Sequence, residues 1–552
     1  MNRNRKAFLC RVGLVVALAV CGAFASCKPH GTEGSASAEM EAEGESASAR
    51  HIQLPTLFPK RWYQVAASGG EAFVWIDSLN EKESYGRYYA IDGHSWAQPH
   101  TFSCTLSRRS ATLTVDSVTS KVSLTKLLRG FRAITYAAPE YMPNSDTRYQ
   151  KPTYRVRTIP DICYGHAEGY WSSFTGFEDK SYAKVVVEGF RKSLSKRPLD
   201  LMLDIYQPAG VDSEKPLILF IHGGAFYVGD RRDEALVGWC KHFASLGYIT
   251  ASMDYRLGFL PSKDDIERAG YMAVQDAHAA MRYLVSHAEE YGIDTSQIYV
   301  AGTSAGSITA LNLAFMRDDN RPKASFGRKE NLFHHGERTE DLGAIASSGN
   351  DINADFHIVA VANMWGAIND LGMLRNSHTD IVSFHGDADQ LVPFDRGYPF
   401  SDVSEGVGQR LFAEMFGSRS IDGEAQSIGL RSRFYPFPGE GHAFHVDENQ
   451  NINQNWYFIR DSITTFFYGS MVPEKAVIAV ADDGLYAIGC KDVAEVSWMV
   501  NGGFVLQADE DKRTLQVLWR ADEDEHSVEA SGTYHNGLGW DSKMNVDATA
   551  NP

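Results

Sequence analysis

The sequence predicts an α/β fold over residues 153–472: a mostly parallel eight-stranded sheet with helices on both faces. Two observations predict it. Apolar runs of strand length alternate there with helical periodicity, and near-continuous apolar strands are what a sheet covered on both faces requires. One strand-to-helix junction also carries Gly302-Thr303-Ser304-Ala305-Gly306, a serine among small residues at a turn. β-rich segments are expected on either side, an N-terminal module over 51–152 and a β-sandwich over 473–552. At about 150 residues per domain, 552 residues leave room for these three units.

Taken in order, residues 1–26 read as an export signal. Arg3, Arg5, Lys6 and Arg11 precede the apolar run Val12–Ala25, which ends in small residues. Its 14 residues fall short of the roughly 20 that span a bilayer. Ala23-Phe24-Ala25 suits ordinary signal cleavage. Phe24-Ala25-Ser26-Cys27 resembles a bacterial lipobox, with Phe24 where leucine is usual, and makes Cys27 the expected lipid-attachment residue. Residues 27–50, rich in Ser, Ala, Gly and Glu without apolar periodicity, form a flexible acidic tether. An outer-membrane or cell-surface lipoprotein is therefore expected, with a periplasmic or secreted protein as the alternative.

Within 51–152, Thr101–Leu106 and Ala111–Val115 alternate as half-buried strands around the turn Ser107–Ser110. From 153 on, the strand candidates are Leu201–Tyr206, Leu217–Ile221, Ile249–Met253, Ile298–Ala301, Ile358–Asn363, Ile381–His385 and Arg433–Phe437. Tyr271–Tyr291 is the clearest helix, with Met272, Ala273, Ala277, Ala280, Met281 and Leu284 at three-to-four spacing. In the last segment Val496, Trp498 and Val500 alternate up to the turn Asn501-Gly502-Gly503, and Leu515, Val517 and Trp519 alternate in a later strand. Trp498–Gly503 and Thr514–Trp519 resemble the polycystic-kidney-disease-type, immunoglobulin-like modules of bacterial surface proteins.

Charge and cysteines narrow the function. Lys plus Arg total 53 against 70 Asp plus Glu, a net −17, which excludes the basic footprint of a nucleic-acid binder. The stretch from Glu474 carries 15 acidic and 6 basic residues, so much of the acidity belongs to an appendage. Three of seven cysteines lie in the first 27 residues. The others (Cys104, Cys163, Cys240, Cys490) show no zinc-type spacing.

The chemistry concentrates around Ser304. A serine between a strand and a helix, flanked by glycines, is the pattern of a nucleophile elbow. A serine hydroxyl needs a base and an orienting acid. Asp389 lies 85 residues on, in His385-Gly386-Asp387-Ala388-Asp389, just past a strand's carboxyl end. His442 follows 53 residues later in Gly439-Glu440-Gly441-His442. Asp389 is assigned as acid and His442 as base, with Asp387 and His445 as rivals. Acyl transfer also needs donors for a developing oxyanion. His222-Gly223-Gly224-Ala225-Phe226 follows an apolar strand 82 residues before the serine, and Gly224, Ala225 and Ala305 are the expected N–H donors.

These motifs in this order, with Asp254-Tyr255-Arg256-Leu257-Gly258 between them, resemble the carboxylesterase and hormone-sensitive-lipase-like branch of the α/β hydrolases. Bacterial acetyl-xylan and feruloyl esterase-type proteins are the nearest in kind. The resemblance covers about 155–470. It implies an acyl-enzyme mechanism carried by Ser304, His442 and Asp389, a small ester or acylated-glycan substrate, and no metal or organic cofactor. Ala225, where many relatives have a third glycine, and Ser307, where many have a glycine, depart from the pattern. Two other functions compete: a serine peptidase of the prolyl-oligopeptidase type, and a surface glycan- or protein-binding lipoprotein with an inert hydrolase fold.

The remaining features have structural readings. Asp254 and Arg256 read as buried ion-pair residues, His334-His335 as a solvated loop, and 317–355 as a polar insertion, either lid or long loop. Trp365-Gly366 is a candidate pocket lining. The acidic clusters Asp509–Asp511 and Asp522–Glu525 read as charged loops, with calcium as the alternative.

Overall fold

The computed structural model describes residues 58–547 apart from 68–69, 80–82, 107–109, 124–131, 175–194, 261, 328–338, 376, 402–408 and 410. The export signal, Cys27, the tether and His334-His335 lie outside the described residues. The described residues form two compact units, one within 147–472 and a second made of those up to 146 together with those from 473 on.

The 147–472 unit is built on one eight-stranded sheet. Its strands are β1 (Val156–Gly169), β2 (Arg197–Pro208), β3 (Lys215–Ile221), β4 (Ile249–Met253), β5 (Ile293–Thr303), β6 (Ile358–Met364), β7 (Asp380–Gly386) and β8 (Ser432–Phe437). They lie in the order β8-β7-β6-β5-β3-β4-β2-β1. Only β1 with β2 and β2 with β4 pair antiparallel; the rest run parallel. Every residue of β3 and β4 is buried, as the continuous apolar runs require.

β1 escapes sequence reading for a physical reason. It is an edge strand, mostly exposed, with Pro160 within it and bulges in its pairing to β2. Proline is tolerated there because an edge leaves its missing N–H unneeded. Residues 147–152 also belong to this unit, with Tyr149 N–H donating to Leu246 O at 2.8 Å.

The helices are α1 (Glu234–Leu246), α2 (Lys263–Ser286), α3 (Ala305–Phe315), α4 (Ser418–Ser427) and α5 (Gln454–Met471). The predicted Tyr271–Tyr291 helix starts eight residues earlier, at Lys263, and stops at Ser286; Ala288–Tyr291 is a separate turn. The early turns are polar and carry no apolar period. They begin instead at a cap, where Ser262 Oγ accepts from Asp265 N–H at 3.2 Å, with Asp264 and Asp265 at the positive helix end. Asp254 and Arg256 do not pair with each other. Asp254 binds Arg231, and Arg256 binds Asp276 of α2 at 2.7 Å, all four being buried.

The described flanks of the polar insertion are short 3₁₀ turns stapled to α2. Arg268 donates to Ala324 O (2.7 Å) and Glu340 O (2.8 Å), and Gln275 donates to Leu342 O (2.8 Å) and Ala344 O (3.0 Å).

The other unit joins the two β-rich segments that the sequence presents separately. A seven-stranded antiparallel sheet runs from Trp62–Ala67 to Arg132–Thr135. It includes the hairpin His100–Leu106 with Ser110–Val115. The C-terminal segment forms two antiparallel sheets, and Trp96–Ala97 adds to one of them beside Trp519–Arg520. Phe73 and Tyr89 bury against Phe504 and Leu518, with the Phe73 and Phe504 rings stacked at 4.2 Å. A β-segment of this size buries little apolar surface alone, and the shared core supplies more. No helix among the described residues is long and apolar enough to cross a membrane.

Candidate active site

Ser304 sits between β5 and α3 at φ +52° and ψ −120°, a backbone region that a non-glycine residue adopts only when its surroundings hold it there. Its neighbours do so. A Cβ on Gly302 would stand 2.3 Å from Gly306 O, and one on Gly306 would stand 2.1 Å from Ile221 O at the end of β3. Both glycines are therefore demanded by close backbone approach, and the serine is pushed clear of the sheet.

The structure brings Ser304, His442 and Asp389 together. Ser304 Oγ lies 2.8 Å from His442 Nε2, and His442 Nδ1 lies 2.7 Å from Asp389 Oδ2. A carboxylate only accepts, so Nδ1 carries the proton and Nε2 turns its lone pair to the serine hydroxyl. Asp389 Oδ1 accepts from Leu391 N–H (2.8 Å) and Val392 N–H (3.0 Å). Burial opposes its ionisation, yet hydrogen bonds from His385 and His442 outweigh burial and hold the carboxyl well below the usual carboxylate range.

The two rivals sit close by in other roles. Asp387 Oδ1 accepts from Gly439 N–H at 2.6 Å, tying down the loop that carries His442. His445 is buried between the rings of Trp239 (5.6 Å) and Trp365 (4.7 Å), and burial pushes it down to about 4. Trp365 is 1% exposed under Phe444 and His445, so it packs the core beside the site and does not line a pocket.

The glycine-rich loop lies against the elbow. A Cβ on Gly223 would meet Thr303 O at 3.0 Å and Ser304 Cβ at 3.2 Å. Gly224, Ala225 and Phe226 all take positive φ (+109°, +52°, +58°), and Tyr227 and Val228 N–H both donate to Gly224 O. Ala225 thus adopts a left-handed conformation that ordinarily favours glycine. Ala305 heads α3, where the first N–H groups have no intrahelical acceptor and the helix dipole favours negative charge. His222 braces this loop from below. Burial pushes it down to about 4, so it is neutral; its Nδ1–H donates to Gly223 O at 2.7 Å, and its ring stacks on Tyr255 at 4.4 Å.

Sequence reasoning singled out neither His385 nor Ser418 and Asn363, which lie behind the acid. Their signal was faint: His385 opens the motif that contains Asp389, but Ser418 and Asn363 stand in unrelated stretches. Among the described residues one group has donors close enough for a metal, Cys163, His166 and Asp200 on exposed faces of β1 and β2. His166 Nδ1 lies 2.9 Å from Asp200 Oδ1, and its Nε2 lies 3.9 Å from Cys163 Sγ, whose thiol also donates to Gly165 O at 3.4 Å.

A serine, imidazole and carboxylate in line at a strained elbow, with a glycine-rich loop against it, are the parts that acyl transfer uses. The BD-FAE family model matches residues 203–381, the stretch from β2 through the glycine-rich loop and elbow into β7. The 147–472 unit has the α/β-hydrolase fold.

This unit has esterases among its similar proteins. Gut esterase 1 of Caenorhabditis elegans is 28% identical over 208 residues, covering 35% of this chain and 33% of that protein. Esterase LipI of Mycobacterium tuberculosis is 36% identical over 103 residues, covering 18% and 29%. The chain thus spans about a third of the length of the curated relatives it matches. A solved structure of Thermogutta terrifontis esterase 2, phosphorylated by paraoxon, is 21% identical and aligns over 50% of this chain and 92% of its own, with TM-score 0.34.

Proposed function

We propose that this protein is an exported serine carboxylic-ester hydrolase that removes acetyl or feruloyl groups from glycans through an acyl-enzyme. The observation that carries the chemistry is the relay from Ser304 through His442 to Asp389, at 2.8 and 2.7 Å. His442 takes the serine proton as Ser304 Oγ attacks the ester carbonyl, and Asp389 stabilises the resulting imidazolium. N–H groups of Gly224, Ala225 and Ala305 receive the oxyanion. The imidazolium returns its proton to the departing alcohol, and a water deprotonated by His442 then releases the acid. The glycan ester reading is supported by the match to BD-FAE, a family of bifunctional acetyl-xylan/feruloyl esterases. Export and a lipid anchor at Cys27 are supported by the basic-then-apolar N-terminus and the lipobox-like Phe24–Cys27.

The test is hydrolysis by purified protein of p-nitrophenyl acetate, acetylated xylan, feruloylated arabinoxylan and a proline-linked amide. Release of acetate or ferulate without amide cleavage is expected. Cleavage of the amide in preference to the esters would replace the esterase with a peptidase. For the anchor, cells fed a clickable palmitate should label the wild-type chain and not Cys27→Ala; equal labelling of both would remove the assignment.

A further inference from the structure

Behind the acid runs a chain of polar groups that the proposed esterase chemistry does not use. Ser307 Oγ–H donates to Asn363 Oδ1 at 2.7 Å, and Asn363 Nδ2 donates to Ser383 Oγ and Ser418 Oγ, each at 3.0 Å. Ser418 Oγ lies 2.8 Å from His385 Nδ1. His385 Nε2 faces Asp389 Oδ2 at 3.2 Å and Val392 O at 3.3 Å. Ser307, Asn363, Ser383, Ser418 and His385 are all 0% exposed. Desolvating this many polar groups is tolerable only when each is satisfied.

The donor directions follow from chemistry alone. Both partners of His385 Nε2, a carboxylate and a carbonyl, can only accept, so Nε2 carries the proton. With the ring proton on Nε2, Nδ1 is the acceptor and Ser418 donates to it. Ser418 is free to do so because its lone pairs take the Asn363 amide. Every donor from the elbow helix to the acid therefore points the same way, and Ser418 complements the tautomer of His385 that Asp389 and Val392 O fix. Asp389 Oδ2 receives two imidazoles, His385 from behind and His442 from the front, while Oδ1 holds two backbone N–H groups. All four acceptor positions of the carboxylate are occupied.

We propose that His385 is a positioning residue for the reaction: held in one tautomer by the acceptors Asp389 and Val392 O on one side and the Ser418 hydroxyl on the other, it holds the Asp389 carboxylate in the rotamer that orients His442 toward Ser304. This rests on the esterase reading above. Ser307 has a place in the same scheme. Its hydroxyl ties α3, which starts at the nucleophile, to Asn363, so the elbow and the acid share one buried framework. A glycine at 307 could not make that link.

A double-mutant cycle on p-nitrophenyl acetate tests it. His385→Phe should lower kcat on the order of 10- to 100-fold with KM within about twofold, because orientation is needed in the transition state and not for binding. His385→Gln, which can offer an amide N–H to Asp389, should recover most of the loss. In an Asp389→Asn background, His385→Phe should have no further effect, since the residue acts through that carboxylate. Ser418→Ala removes a single oxygen and serves as the second variant should His385→Phe fail to fold; it should also lower kcat without altering KM. Unchanged kcat in folded His385→Phe and Ser418→Ala, or fully additive losses in the Asp389→Asn background, would overturn the inference and leave the esterase intact. A wild-type protein that neither hydrolyses the ester nor reacts with a fluorophosphonate would instead remove the esterase reading, and this inference with it.

Discussion

At the residue scale, the site is held by backbone positions that admit few alternatives. Gly306 lies so close to Ile221 O that alanine there must displace β3 or the elbow. Gly306→Ala is expected to destabilise the fold by about 1–3 kcal/mol through overpacking, read as a lower urea midpoint, and to reduce ester hydrolysis further than the stability loss explains. Asp387 makes a different case. It stands two residues from the acid, yet its carboxylate caps Gly439 N–H and so sets the course of the loop to His442. Asp387→Ala is expected to lower kcat several-fold while the protein still labels with an organophosphate. Complete loss of labelling would instead mark Asp387 as the acid.

At the element scale, seven of the eight sheet strands were legible, the inner ones as apolar runs that the sheet buries, as in Leu217–Ile221 and Ile249–Met253, and the edge strand β8 although none of its residues is fully buried. β1 was not, because an exposed edge strand containing Pro160 has neither a continuous apolar run nor clean alternation. The meeting of Ser304, Asp389 and His442 was legible from their place in the sheet. Ser304, Asp389 and His442 each follow a strand's carboxyl end, where open α/β sheets gather their sites. His385, Asn363 and Ser418 come from three separate elements, and only the folded sheet places them in line. The pairing of the N- and C-terminal β-segments was also hidden, since a shared core between residues 73 and 504 leaves no local pattern. Phe504→Ala should therefore destabilise the whole second unit by about 3–5 kcal/mol. Protection of amides in both Gly70–Leu79 and Thr514–Arg520 should fall together in hydrogen exchange. Loss confined to the C-terminal strands would mean that the two segments fold separately.

At the scale of the whole molecule, acidity and buried histidines set the response to pH. Burial pushes His222, His242, His278 and His445, all in the hydrolase unit, from 6.5 down to about 4. Above about pH 6.5 these groups are neutral in both folded and unfolded chains and contribute no pH dependence. Below it the unfolded chain takes up protons that the folded state excludes, so stability falls as pH drops from 6.5 toward 4. The slope is up to about 1.4 kcal/mol per pH unit for each group. Asp389, held below the usual carboxylate range, adds its own loss only in stronger acid. Urea midpoints of the hydrolase unit should fall progressively between pH 6.5 and 4. A flat profile would show that these rings reach water in the folded protein.

The catalytic assignment itself is tested most directly by mass spectrometry of the chain after treatment with a fluorophosphonate. The relay of Ser304, His442 and Asp389 predicts one adduct on the tryptic peptide containing Ser304, absent in Ser304→Ala and strongly slowed in His442→Ala. An adduct that persists in Ser304→Ala, or none in active wild-type protein, would contradict it.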